Sequence, residues 1–370
     1  MAKVLGWWTA AVVAAVLLAG CTLPREARDA SGKPVVVTTF TVLADIAANV
    51  AGDRLTVESI TKSGAEIHGY EPTPGDVRKA AGAVLVIRNG LGLDRWFDQF
   101  TDDLPAPSID ASNGVVPIPI ASDAYAGKPN PHAWMSPLNV ETYVDNIVKA
   151  FIRIDPDGAP VFRANAAAYK QQLRDVQHDL VTSLRTLPVN ERALVTCEGA
   201  FSYLARDTGL TEAYIWPVNA EQQAVPRQVA ATIDFVRAQR VPAVFCESTV
   251  SDKAMQRVAA ASGARFGGIL YVDSLSLADG PVPTYLDLIR HDARTIVAAR
   301  VDGHDPKLTA VERSLLGLAR DRMDRELVKA CAQFRHLATA DGSDPRELDG
   351  LQIAATYGVP VVARGAGTGL

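Results

Sequence analysis

The chain has 370 residues, with 37 lysines and arginines against 42 aspartates and glutamates, a formal net charge of −5 and a sequence pI of about 5.7. It carries no basic run longer than a few residues, which excludes the electrostatic footprint of a nucleic-acid-binding protein. Its length also excludes one small domain and suits two lobes, each with its own core.

In chain order, Lys3 precedes an apolar run from Thr9 to Leu18 that ends in Leu17-Leu18-Ala19-Gly20-Cys21. The run is too short for a permanent membrane-spanning helix and ends in small residues, so residues 1–20 read as an export signal with a lipoprotein cleavage site. On that reading the Cys21 thiol carries a lipid anchor and residues 21–33 form a flexible tether; the alternative is a cleaved signal without lipid. Next comes a strand pattern from Val35 to Phe40, a helical pattern from Val42 to Ala51, and strand patterns at Leu55–Ile60 and Val84–Asn89. Strands alternating with helical crossovers predict an α/β lobe with a mainly parallel sheet and flanking helices.

From Asp157 to Leu187 there is no glycine after Gly158, and Phe162, Ala166, Tyr169, Leu173, Val176, Leu180, Leu184 and Leu187 recur three or four apart. This predicts one long rigid helix over 158–187, about 40 Å long, joining the first lobe (34–157) to a second (188–300). The second lobe repeats the alternation, with strand patterns at Ala193–Cys197, Ala213–Trp216, Ala243–Cys246 and Ala264–Tyr271 and helical ones at Pro226–Arg240 and Lys253–Ser262. Ser251 has the position of a helix N-cap. Apart from Cys21, the cysteines are Cys197, Cys246 and Cys331, an odd number with no Cys-x-x-Cys pair. They read as buried thiols, with a disulfide as the alternative.

Of six histidines, two lie among turn-forming residues where a side chain can reach into a cleft: His68 in IHGYEPTPGD and His132 in NPHAWMSPLN. A lone loop histidine is more often a structural hydrogen-bonder than a ligand. His178 and His291 lie in helical stretches and read as solvated or packing residues, while His304 and His336 lie beyond the lobes.

With VTCEGAFSYLARDTGL around Glu198, FCESTVSD around Glu247, and LYVDSLS followed by GPVPTYLDLIRH around Asp273, the chain resembles the metal-binding lipoproteins that serve as manganese, iron and zinc receptors of ABC transporters. The resemblance spans about residues 34–300. It implies a binding protein rather than an enzyme, monomeric, with a divalent transition metal as cargo and an ABC permease with its ATPase as partners. It also implies that His68, His132, Glu198 and Asp273 meet as metal ligands in the cleft between lobes. Two neutral imidazoles with two carboxylates make a site of zero net charge around a divalent ion. Hard carboxylates that bind through one or both oxygens suit manganese or ferrous iron, whereas zinc sites use more thiolate or imidazole. Zinc receptors of the family are similar to a three-histidine pattern, and here the third position is Glu198 with no histidine between 68 and 132. Manganese or iron is thus expected ahead of zinc, with affinity falling as pH drops through the histidine range.

Glu247 is a candidate to hydrogen-bond a histidine and is not counted as a metal ligand, and Trp134, Trp216 and Tyr271 are candidates to wall the site against water. The competing function is a secreted metalloenzyme using two histidines and a carboxylate, which lacks an evident general base once both carboxylates are ligands. A surface adhesin leaves the ligand pattern unexplained. Residues 301–370 fall outside the resemblance and read as an appended tail with an amphipathic helical stretch from Leu308 to Ala338. Its end, from Tyr357 to Leu370, is similar to the pyrophosphate-binding loop of FAD-linked glycolate-type oxidases, but a glycine-rich loop alone does not make a flavin site, and none is expected.

Overall fold

The computed structural model describes residues 29–101, 104–121, 125–188, 192–218 and 225–301. The predicted export signal, Cys21, His304, Cys331, His336 and the tail from residue 302, with its helical stretch and glycine-rich end, lie outside the described residues.

Strands β1 (Val35–Thr38), β2 (Thr56–Ser59), β3 (Leu85–Arg88) and β4 (Ser108–Asp110) form one parallel sheet in the order β2-β1-β3-β4. Helices α1 (Thr41–Ala51), α2 (Pro74–Ala81) and α3 (Arg95–Thr101) follow the first three strands in turn. Side chains on a strand alternate between faces, so Val36, Leu85 and Ile87 enter the core shared with α1 while Val37 and Val86 face Ala80 and Phe97 on the other side. Burial on both faces explains the uninterrupted valines of β1.

Helix α4 (Pro137–Ile154) opens on Ser136, whose hydroxyl accepts from the Asn139 N–H at 3.2 Å. Helix α5 (Ala159–Arg185) follows a single 3₁₀ turn (Pro156–Gly158), where the Asp155 side chain accepts from the Gly158 N–H. All eight apolar positions read from the sequence between Phe162 and Leu187 are buried in one core with Val36 and Leu43 of the first lobe and Leu194, Phe245 and Leu288 of the second. The long helix packs against α1 and α4 at one end, and against α6 (Ser202–Thr208) and α9 (Tyr285–Val301) at the other.

In the second lobe β5 (Ala193–Glu198) pairs in parallel with β6 (Thr211–Trp216), and β7 (Ala243–Glu247) with β8 (Arg265–Leu270). Helices α7 (Pro226–Gln239) and α8 (Lys253–Ser262) cover the outer face through Val236, Met255 and Val258. β5 lies against β7, and there the reading of free thiols is overturned: Cys197 and Cys246 form a disulfide, their Cα atoms 4.9 Å apart. That separation is the ordinary spacing of neighbouring strands, and the two residues stand 49 apart in sequence, so only the strand order brings them together. Ser251 is also corrected. The N-cap of α8 is Asp252, in helical conformation and without a side-chain cap, while its carboxylate accepts from the Gln256 side chain at 3.2 Å.

The turn after β3 supports the loop that carries His132. Gly90 has φ of +83°, and a Cβ there would lie 2.9 Å from the Asp110 and Ser112 side chains, so glycine is required twice over. The buried Asp94 carboxylate accepts from the Gly90 N–H at 2.8 Å, and Asn89 donates to the Pro131 carbonyl at 3.0 Å while accepting from Tyr143. Burial raises the Asp94 carboxyl from 3.8 to about 6. The folded chain therefore holds this proton more tightly than the unfolded chain, so its stabilising contribution is present below about pH 4 and lost as pH rises through 6. Wild-type stability relative to Asp94→Asn, measured by urea unfolding, is expected to fall by about 2 kcal/mol between pH 4 and pH 7. Parallel curves across that range would refute the assignment.

Candidate metal centre

Each of the four predicted ligand residues stands in a loop or at a strand end that its neighbours hold in place. His68 follows β2 in a turn organised by Glu66, whose carboxylate accepts from the N–H groups of His68 at 2.8 Å and Gly69 at 3.1 Å. Beyond it, Thr73 and Asp76 form a reciprocal cap on α2, and the Tyr70 hydroxyl donates to Asp76. His132 sits just before α4, held by Asn130, whose Oδ1 accepts from the His132 backbone N–H at 3.0 Å and from its Nδ1 at 2.8 Å. An amide oxygen only accepts, so Nδ1 carries the proton and the Nε2 lone pair points away from Asn130.

Glu198 is the last residue of β5, followed by Gly199, where a Cβ would lie 2.8 Å from the Tyr214 ring. Asp273 follows β8, and its Oδ2 accepts from Thr249 Oγ1 at 3.2 Å.

The structure brings the four side chains together. Nε2 of His68 lies 3.0 Å from Nε2 of His132, 3.2 Å from Glu198 Oε1 and 3.9 Å from Asp273 Oδ1. Nε2 of His132 lies 3.5 Å from Glu198 Oε1 and 3.7 Å from Asp273 Oδ1. One ligand atom from each residue falls within 4.8 Å of all the others. Bonds of about 2.1 Å to a common centre place tetrahedral donors about 3.5 Å apart and octahedral neighbours about 3.0 Å apart, so these spacings suit one ion. The His68 side chain is 4% exposed and the other three are wholly buried.

Electrostatics complete the picture. Burial pushes the His68 imidazole down to about 3, and burial followed by the nearby His68 holds His132 well below its usual value. Both rings are therefore neutral donors at physiological pH. Glu247 departs from expectation. Its Oε2 accepts from the backbone N–H of Glu198 at 3.2 Å instead of from a histidine, because β7 lies directly against β5. Burial raises Glu247 to about 8, which keeps it largely protonated and leaves the charge of the centre to other carboxylates.

Of the three aromatic candidates, Trp134 is fully buried with its ring 5.1 Å from that of His132, and its Nε1 donates to the Val272 carbonyl at 3.0 Å. Trp216 packs in the second-lobe core, and Tyr271 stands edge-on to His291 with ring centroids 5.3 Å apart. His178 is exposed and His291 half-buried. Asn130 is the site residue the sequence reading passed over. Its signal was its place two residues before a histidine in a proline-stiffened turn.

Comparison with known proteins places the chain among relatives. Residues 36–299 match the family model described as ZnuA, zinc-uptake complex component A, periplasmic. The chain is 50% identical over 269 residues to the iron-binding protein YfeA of Yersinia pestis, covering 72% of this chain and 86% of that protein. It is 32% identical to the manganese-binding lipoprotein MntA of Halalkalibacterium halodurans, over 78% of this chain and 95% of the relative. Among solved structures, the Mn-bound periplasmic metal-binding protein from Candidatus Liberibacter asiaticus superposes with a TM-score of 0.68 at 37% identity, over 72% of this chain and 99% of that one. The periplasmic zinc-binding protein TroA of Treponema pallidum superposes with a TM-score of 0.67 at 26% identity, over 72% of this chain and 99% of that one. A family match running through both lobes, joined to half-identity along most of a relative's length, establishes kinship: the chain belongs to the ZnuA family of periplasmic uptake components.

Proposed function

We propose that this protein is the substrate-binding lipoprotein of an ABC importer, which captures a divalent transition-metal ion between its lobes and delivers it to a membrane permease. The observation that carries the reading is the convergence of two imidazoles and two carboxylates, two from each lobe, with donor atoms within 4.8 Å of one another. His68, His132, Glu198 and Asp273 are the ligands on this reading. Iron and manganese in the names of YfeA and MntA, and manganese in the Liberibacter structure, support the cargo class. The donor set favours manganese or ferrous iron over zinc, because each carboxylate can add a second oxygen and expand four donors to five or six. Zinc still competes on intrinsic affinity.

A receptor needs no covalent chemistry, and a sphere filled by protein donors leaves no open position for a substrate water; both points support a binding protein over a metalloenzyme. Residues 1–20 act as the export signal, Cys21 carries the lipid, and residues 21–33 tether a monomer to the outer side of the membrane. The lobes comprise 34–157 and 188–300, the connecting helix 158–187, and 301–370 is an appended segment.

Two measurements test the reading. Metal-stripped chain is expected to bind one Mn²⁺ or Fe²⁺ tightly in competition titrations, and His68→Ala or Glu198→Ala to lose more than about 100-fold in affinity, since even groups that merely orient a ligand are worth 10- to 100-fold. Binding insensitive to both substitutions would refute the site. Burial of the imidazoles also changes the expected pH response. Protons compete with metal only once they occupy the rings, so affinities at pH 7 and pH 5.5 are expected to agree within about tenfold, with steep loss only as pH approaches 3. A thousandfold loss by pH 5.5 would show that the histidines titrate as exposed groups.

A further inference from the structure

The four proposed ligands approach in two pairs across the cleft, and each pair has its own hydrogen-bonded tie between lobes. On one flank stands Asn130, buried two residues before His132. Its Oδ1 holds the His132 imidazole, while its Nδ2 donates to the Gly199 carbonyl at 2.7 Å and the Ser202 hydroxyl at 3.1 Å. Gly199 is the residue after Glu198. The amide orientation follows from its partners, since a backbone N–H can only donate and a carbonyl can only accept. On the other flank stands Ser274, buried and directly after Asp273. Its hydroxyl accepts from the Gly64 N–H at 2.7 Å, four residues before His68, donates to the Leu275 carbonyl at 3.1 Å, and lies at the longer distance of 3.4 Å from Thr41 Oγ1.

Building on the metal-receptor reading, we propose that Asn130 and Ser274 are positioning residues that latch the lobes around the ion, governing how slowly it is released and not how fast it is captured. Both ties join loops of different lobes, so they form when the lobes close and break when they part. Capture begins from the parted state, in which the ties are absent, whereas release must break them. Asn130 does more than hold: one end reads the position of the second lobe and the other orients the His132 ring. Closure and presentation of the Nε2 lone pair are thereby joined in one side chain. Ser274 bonds no ligand side chain and isolates the mechanical part.

The test is stopped-flow kinetics on the full chain in mild detergent, with Mn²⁺ as probe: capture on mixing with the metal-stripped protein, and release into excess EDTA, both followed by tryptophan fluorescence. Loss of one hydrogen bond of about 1 kcal/mol predicts release about fivefold faster in Ser274→Ala. Asn130→Ala, which loses both interlobe bonds and the imidazole support, should exceed that. The double variant should approach the product of the two factors, since the ties lie on opposite flanks. In Ser274→Ala and Ser202→Ala, capture rates should stay near wild type, which a general structural defect would not allow. Ser202→Ala, which removes one end of one tie and no contact to His132, should shift release in the same direction by less, and serves if Asn130→Ala folds poorly. Release within twofold of wild type in Ser274→Ala and Ser202→Ala would overturn the latch, as would capture slowed by the factor by which release is quickened. If wild type binds Mn²⁺ tightly in either case, the receptor reading stands; a wild-type chain that binds none would overturn both.

Discussion

Two carboxylates and two neutral imidazoles buried against one another impose the central constraint on this molecule. Glu198 and Asp273 are wholly withdrawn from water within 4 Å of His68 and His132. Charges so placed are costly unless a cation or hydrogen bonds compensate them, and a divalent ion supplies compensation in one piece. The rest of the fold is arranged around this demand. On the metal-receptor reading, donors must be held at the spacing of a coordination polyhedron, yet must come from both lobes for the ion to enter or leave.

The spacing is held by a scaffold that permits little play. The apolar stripe of α5 lies in a core containing residues of both lobes, so the lobes share one stiff strut of 27 residues. A strut packed along both lobes leaves room for small rotations and not for wide hinge motion. Glu247 illustrates the same economy at atomic scale. It supports the backbone of Glu198, and burial keeps it largely protonated, so it braces that residue without adding a third negative charge.

Much of this was legible in the sequence. The three-and-four spacing from Phe162 to Leu187 marks a helical stripe because side chains on one helix face recur at that period, and every position in it is buried. Strands β1, β3, β5 and β7 stand out because a parallel strand covered on both faces is apolar throughout. Strand β4 escaped notice because Ser108–Asp110 is short and half-exposed, with no alternation to detect. Helix α4 was legible and passed over: Val140, Tyr143, Val144, Ile147 and Phe151 carry the helical period and are all buried.

By itself, the sequence determined everything that depends on local periodicity or on a motif of adjacent residues: the alternating elements, the long helix, and the two loops in which histidines stand among prolines and glycines. Only the tertiary structure decided what depends on strand order and on distances through space. The Cys197–Cys246 disulfide, the seat of Glu247 under Glu198 and the bond from Asn130 to the Gly199 carbonyl each join residues dozens of positions apart. Such pairings leave no mark in either partner's neighbourhood, because chain connectivity specifies which elements form, while packing between them specifies which side chains meet.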